Sequence, residues 1–401
     1  MKEIRIGKSY ISRDLLLFFV ASALLGVTAA VESTSFTNRL VEDLGFTTLQ
    51  RTTLEIPREL PGLIVVFVTG ALAFLGDIRT SAIGSIIGGV GLYIFGIVPS
   101  GYWPVVLSMT VYSMGIHINL PLQGSISMTF AGEGNLGRRL GQIQSVTTVA
   151  LILSAAVLYV LYSFVNIPFT AAFTIGAVAM ALAGVVFFFM SPGPPRKTVR
   201  RFVFRKKYSL FYVLSFFNGA RKQITITFVT WLLVTIYEQP VPTVVILFFI
   251  TNVIGVFFRH WMGNLIDRRG ERFVLAFEAA LLTISCIGFA FAKVLFSAPF
   301  ALIVVSACYV IDNLFSVGSQ MARTTYVRRL SDDNSEVTGT LSLGVSFDHV
   351  VSMFIPFFAG LLWEWNDGMG YIYVFLGGAL ISMVCFFLAN KVKVPAPAGA
   401  I

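Results

Sequence analysis

Arg221 and Lys222 stand side by side in the middle of a long apolar run. His117, Asp312, Asp348 and His349 occupy comparable places in other apolar runs. An ionisable residue at the centre of a membrane span costs about 2.5–3.5 kcal/mol on insertion scales, so such residues pair or line a watery path. The spacing around the two cations is helical. Asn218, Arg221, Lys222 and Thr225 follow i, i+3, i+4, i+7 and share one polar stripe. Asp312, Ser316 and Ser319 form a second stripe, with Asn313 beside it. A cationic platform with acidic partners suits the capture of a small anion. A carboxylate displaced by that anion can take up a proton. The same residues also make a plain structural salt bridge, with no ligand at all.

A second polar layer lies nearer one end of its spans. Glu32 in the first run and Arg58 and Glu59 in the second fall at one depth, so Glu32 and Arg58 are expected to pair. Glu55 is one turn further out, within reach of Glu59 or Arg58, and Pro57 and Pro61 loosen that helix. This layer reads equally as a gate or proton site and as a structural network. His349 and Met353, and Met114 and His117, have spacings that put soft ligands on one helical face. With 11 Met in the chain such pairs arise by chance, and no metal site is expected. Cys286, Cys308 and Cys385 sit inside apolar runs without C-x-x-C spacing, so neither a disulfide framework nor zinc is expected. No phosphate loop, dinucleotide fingerprint or nucleophile triad occurs, so the chain is not read as an enzyme and no cofactor is expected.

The elements that position these residues follow from composition. Hydrophobic residues make up 56% of the 401 positions and charged residues 12%, about half the charge of a soluble domain. A bilayer core needs about 20 apolar residues per helix. Such runs lie near 14–37, 52–75, 80–98, 103–129, 142–163 and 168–190, then near 209–236, 243–265, 273–292, 299–322, 338–362 and 369–390. The expected fold is an all-α membrane protein of 12 transmembrane helices in two pseudo-symmetric six-helix bundles. These would be residues 1–190 and 209–401, joined by a basic linker at 191–208. The first run is read as a retained helix and not a cleaved leader. Arg39, Arg51 and Lys293 are the basic residues expected outside, while the linker and most other connections carry Lys and Arg, so both termini are expected in the cytoplasm. The formal charge of +9 is then a topology signal and a contact with lipid headgroups, with no nucleic-acid partner implied.

The halves repeat. One constant shift carries Phe18, Val20, Ser22 and Gly26 onto Phe211, Val213, Ser215 and Gly219, and Gly70 and Leu72 onto Gly263 and Leu265. Gly84, Gly88 and Gly91 in the third run read as tight helix packing. Residues 263–272, Gly-Asn-Leu-Ile-Asp-Arg-Arg-Gly-Glu-Arg, resemble the G-x-x-x-D-R-x-G-x-R loop of the major facilitator superfamily, and they follow the eighth span as that loop does. The resemblance implies a conformational latch made by Gly263, Asp267, Arg268, Gly270 and Arg272. The first-half copy departs from the pattern: Phe74 stands at the aspartate position, with Asp77 and Arg79 nearby, so that latch is weakened or built otherwise. The fifth span, 142–162, has neither Gly nor Pro and so lacks the motif of the family's drug/proton antiporters.

Together the residues and the resemblance imply a secondary transporter of a small organic, anionic solute, working by alternating access with proton coupling. It is expected as a monomer in a bacterial or archaeal cytoplasmic (inner) membrane. Arg221, Lys222, Asn218, His117, Asp312 and Asn313 would bind the solute. Asp312, Asp348, His349, Glu32, Arg58 and Glu59 would couple protons or gate. Amphiphile or drug efflux, carriage of a metal or metal chelate, and a transport-dead sensor or lipid-handling protein are the alternatives.

Overall fold

In a span without water, backbone N–H and C=O groups can be satisfied only within the helix itself. Accordingly the computed structural model is helical almost throughout. It describes residues 3–6, 9–130, 136–192, 204–331, 334–366 and 368–393. Most of the expected linker and the last eight residues lie outside them. The helices are α1 (Arg13–Asn38), α2 (Thr48–Thr53), α3 (Glu55–Ala71), α4 (Gly76–Ile97), α5 (Tyr102–Thr129), α6 (Leu136–Val160), α7 (Phe169–Phe189), α8 (Ser209–Thr235), α9 (Val241–Leu295), α10 (Ala298–Leu330), α11 (Asn334–Trp363) and α12 (Gly370–Ala389). Nine helical stretches among the described residues are long and apolar enough to cross a membrane. Helix α8 is not one of them, because the stripe around Arg221 lowers its apolarity; α3 is short, at 17 residues.

A hairpin of β1 (Glu3–Ile6) and β2 (Ser9–Ser12) precedes α1, where apolar periodicity gave no reason to expect strands. Ser12 closes it and caps α1, its hydroxyl accepting from the Leu15 N–H at 3.3 Å. The described end of the linker is tied down too. Glu336, near the start of α11, pairs with Lys207 at 2.9 Å and Arg205 at 2.6 Å and accepts from the Tyr208 hydroxyl at 2.8 Å. Hydrogen bonds from Lys207 and Tyr208, with the charge of Arg205, hold its carboxyl below the usual range.

The chain forms two compact units. One comprises residues 1–46, 57–199 and 240–249, the other 47–56, 200–239 and 250–401. The shift that carries Phe18 onto Phe211 also carries residues 47–56 onto 240–249, so the two units trade equivalent segments. The first unit has a core of Phe18, Ile118, Leu122, Ala183 and Phe187. Within it α4 and α5 touch backbone to backbone: a Cβ on Gly115 would fall 2.5 Å from the Gly84 carbonyl oxygen. The second unit has a core of Phe211, Leu214, Met262, Ile266 and Val327. Many large side chains face outward in both, among them Phe67, Phe164, Phe257 and Phe387. Lipid tails are a solvent for such a surface as water is not.

The expected eighth and ninth spans are the two helical parts of α9, on either side of a break at Gly270 (φ 79, ψ 165). Gly76, at the start of α4, has nearly the same backbone (φ 77, ψ 164). That region is closed to residues with a Cβ. Two basic residues expected in outer loops are in wound structure and buried. Arg39 opens a π-helical turn (Arg39–Asp43) and is 3% exposed, while Arg51 lies in α2 at 2%. Partners explain both. Arg39 donates from Nε to the Phe95 carbonyl and from Nη2 to the Val98 carbonyl, each at 3.1 Å, and pairs with Asp43 at 2.8 Å. It thereby satisfies carbonyls at the open end of α4. Arg51 pairs with Glu55, which is fully buried.

Candidate functional site

The second unit gathers most of the costly charges. The stripe on α8 faces the stripe on α10. Arg221 Nη1 donates to Asp312 Oδ1 at 2.6 Å and to Thr225 Oγ1 at 3.3 Å, and Nη2 donates to Ser316 Oγ at 2.6 Å. Ser316 in turn donates to the Asp312 carbonyl at 2.7 Å. Side-chain exposure is 3% for Arg221 and 1% for Asp312. Such a pair holds only while both members are present, because losing one leaves an uncompensated charge in low dielectric.

The neighbouring cation sits in another environment. One residue is about 100° of helix rotation, so Lys222 turns away from α10 and pairs with Asp348 of α11. Here 37% of the lysine and 28% of the aspartate side chain are exposed. Gly219 leaves the room that the Asp348 carboxylate occupies beside α8. Adjacent cations are thus divided between a closed bridge and an accessible one.

Other expected residues fall as follows. Asn218 Nδ2 donates to the Leu214 carbonyl at 3.0 Å, and its Oδ1 accepts from Ser319 at 3.3 Å. Asn313 donates to the Tyr309 carbonyl at 2.9 Å, within its own helix. His349 is part-exposed next to Asp348, whereas Met353 is buried at 7%. In the first unit Arg58 Nη2 donates to Glu32 Oε1 at 2.8 Å, and its guanidinium lies 5.2 Å from the Phe36 ring centre. Glu59 is part-exposed. Ser113 of α5 donates to the Arg58 carbonyl, and His117 Nδ1 lies 2.9 Å from both Ser113 oxygens. Since the one hydroxyl proton of Ser113 is committed, the Nδ1–H tautomer of His117 fits this geometry.

The Glu32–Arg58 pair gives a direct test. Arg58→Ala alone is expected to destabilise the purified protein more than Arg58→Ala combined with Glu32→Gln. The coupling should be about 1–3 kcal/mol in a double-mutant cycle of thermal unfolding. Additive losses would show that the contact contributes nothing.

The loop after α9's first half is arranged differently from the residues named for it. Asp267, Arg268 and Arg272 are exposed, and among the described residues none forms an ion pair. The buried acid is Glu271, immediately after the Gly270 break, and Arg329 Nε near the end of α10 lies 2.8 Å from its Oε1. The first unit has a counterpart: Asp77, immediately after Gly76, accepts from Ser125 near the end of α5. In each loop the acid that follows the glycine reaches a neighbouring helix.

Sequence reasoning missed Glu271 and Arg329, and also Glu278 and Arg323. Glu278 is 1% exposed and Arg323 is part-buried near the cytoplasmic end expected of α10. A signal existed for Glu278, which is the lone charge in the apolar run 273–292. Arg323 was hidden because it falls one residue past the end of its run.

The chain matches the family model described as the Major Facilitator Superfamily over residues 18–341. It matches no curated protein. Among solved structures, the nucleoside transporter NupG superposes with a TM-score of 0.77 at 16% identity, covering 95% of this chain and 100% of that one. A bacterial homolog to the human lysosomal transporter Spinster, inward-facing and occupied, gives 0.72 at 14% identity, covering 96% and 98%. A D-xylose-proton symporter gives 0.68 at 13%, covering 95% and 99%. At these identities the likeness is one of fold.

Proposed function

The chain belongs to the major facilitator superfamily of membrane transporters, and from that premise we propose that it carries a small organic anion by alternating access, coupled to protons. On this reading twelve spans form two related six-helix halves with both termini in the cytoplasm of a prokaryote. The chain works as a monomer in the inner membrane.

The observation that supports the anion is the accessible Lys222–Asp348 pair beside the closed Arg221–Asp312 pair. A part-exposed ion pair is held less firmly than a buried one, so an arriving anion can displace Asp348 from Lys222 more readily than Asp312 from Arg221. Arg221 is held by Asp312, Thr225 and Ser316 and acts as the brace that fixes α8 against α10. A lysine ammonium is a point charge with rotatable donors, suited to anions of varied geometry. Once displaced, Asp348 lacks its counter-charge and is the carboxylate that carries the coupling proton on this reading. Solute and proton then bind cooperatively. A structural neighbour named as a proton symporter supports the coupling.

The test is thermal stabilisation of the purified protein by a panel of monocarboxylates, dicarboxylates, organic phosphates, nucleosides, sugars and organic cations. An anion is expected to stabilise the wild type, more strongly at acidic pH. Lys222→Ala should weaken that binding about 10- to 100-fold, the value of one charged hydrogen bond. Stabilisation by neutral or cationic solutes alone, or wild-type affinity in Lys222→Ala, would overturn the anion reading.

A further inference from the structure

The helices of the second unit carry the carboxylates Asp312, Asp348 and Glu278 and the cations Arg221, Lys222 and Arg323. Two of the carboxylates are saturated by a cation at contact distance. The third differs. Glu278 of α9 is 1% exposed, and its Oε1 has no hydrogen-bond partner among the described residues. Ser319 of α10, whose hydroxyl donates to Asn218, lies beside its carboxyl. Arg221 Nε and Arg323 Nε are likewise buried without a hydrogen-bond partner. Glu278 therefore lies in the field of two arginines without being clasped by either.

We propose that Glu278 is a proton-binding site of this transporter, the carboxyl group that is loaded and unloaded while the Arg221–Asp312 bridge stays closed. The proposal rests on the proton-coupled reading and adds the site, which that reading does not assign to α9. The physical case is one of capacity. Asp312 can take a proton only by giving up a buried bond to Arg221, which would strand the guanidinium. Glu278 has an open lone pair and loses no ion pair on protonation. When protonated its hydroxyl can donate to Ser319 Oγ, and one negative charge is removed from between Arg221 and Arg323. When it is deprotonated, both arginines stabilise the charge.

The groups facing it from every side are accounted for. Arg221 acts on it from α8, Asp312 and Arg323 from α10, and Cys385 lies in its field from α12. The position also suits exchange with one side of the membrane. Glu278 is eight residues past Gly270, ~12 Å along the helix from the loop that breaks α9. Arg323 stands towards the same end of α10, with Arg329 one and a half turns beyond it pairing to Glu271.

The experiment needs no identified solute. Infrared difference spectroscopy of the purified full-length protein should reveal a carboxylic-acid C=O band that titrates with pH. That band should be lost in Glu278→Gln and kept in Asp348→Asn. If Glu278→Gln does not fold, Glu278→Asp serves: it keeps a carboxyl but shortens its reach, so the band should persist with a displaced midpoint and frequency. A wild-type protein with no titrating carboxyl band over its folded pH range would overturn the proposal. So would a band that survives unchanged in Glu278→Gln or Glu278→Asp, or one that disappears in Asp348→Asn while Glu278 is intact. A different result separates the two readings. Transport that ignores an imposed pH gradient, with the Glu278 band present, would overturn proton coupling and leave the protonation site standing.

Discussion

Arg221→Leu is expected to cost about 3–5 kcal/mol, because it leaves the Asp312 carboxylate buried at 1% exposure with no countercharge at hand. Domains are stable by about 5–15 kcal/mol, so most of the protein should be lost as misfolded or aggregated material, or should melt far below the wild type. Asp312→Leu should do the same for the opposite reason, stranding a guanidinium. The double variant Arg221→Leu/Asp312→Leu should recover most of the loss, since replacing a whole buried pair by apolar groups is often neutral. Arg221→Lys should fall between, as an ammonium cannot reach Asp312, Thr225 and Ser316 with the geometry of a planar fork. Thermal unfolding in detergent, read by the monodisperse fraction on size exclusion, measures all four. The rescued double variant is also informative about function. It should still bind anions through Lys222 if Arg221 is a brace, and should fail to do so if Arg221 itself contacts solute. A double variant no better than the sum of the singles would mean the pair is not the unit that holds α8 to α10.

The second large effect is steric. Gly115→Val is expected to separate α4 from α5, because any Cβ there falls 2.5 Å from the Gly84 carbonyl oxygen and from the Gly88 nitrogen. These are backbone atoms, which cannot rotate away as a side chain does. Overpacking of this kind costs about 1–3 kcal/mol where neighbours can adjust, and more where they are backbone. Gly124, on the same helix, has nothing within 4 Å of its own Cβ position and is the matched control. Gly124→Val should melt within a degree or two of wild type, while Gly115→Val should lose most of its folded yield. Equal behaviour of the two variants would show that α4 and α5 have freedom to move apart.

Much of this protein was legible along the chain. Long apolar runs, their spacing and the repeat announced a helical membrane protein, because insertion energetics act on each segment almost independently. Charges within those runs announced a polar centre, since each is too costly to be idle. The Glu32–Arg58 pair could be anticipated from depth alone, and the motif at residues 263–272 marked the turn between the eighth and ninth spans.

Which charge meets which partner was decided only by the fold. Arg221 and Lys222 are neighbours in sequence with the same formal charge, and nothing local makes one a closed brace and the other an open hand. That difference is set by the rotation of α8, which turns one side chain to α10 and the next to α11. The same holds for Arg39 and Arg51. They fall between the apolar runs, and carbonyls at the end of α4 and the carboxylate of Glu55 compensate their burial. Glu271 is the buried acid of its loop, the residue that follows the break at Gly270. Sequence determines where charge must be compensated, since desolvation is a property of the segment. Compensation itself is a pairwise matter of a few ångströms between helices far apart in the chain, and only tertiary packing sets those distances.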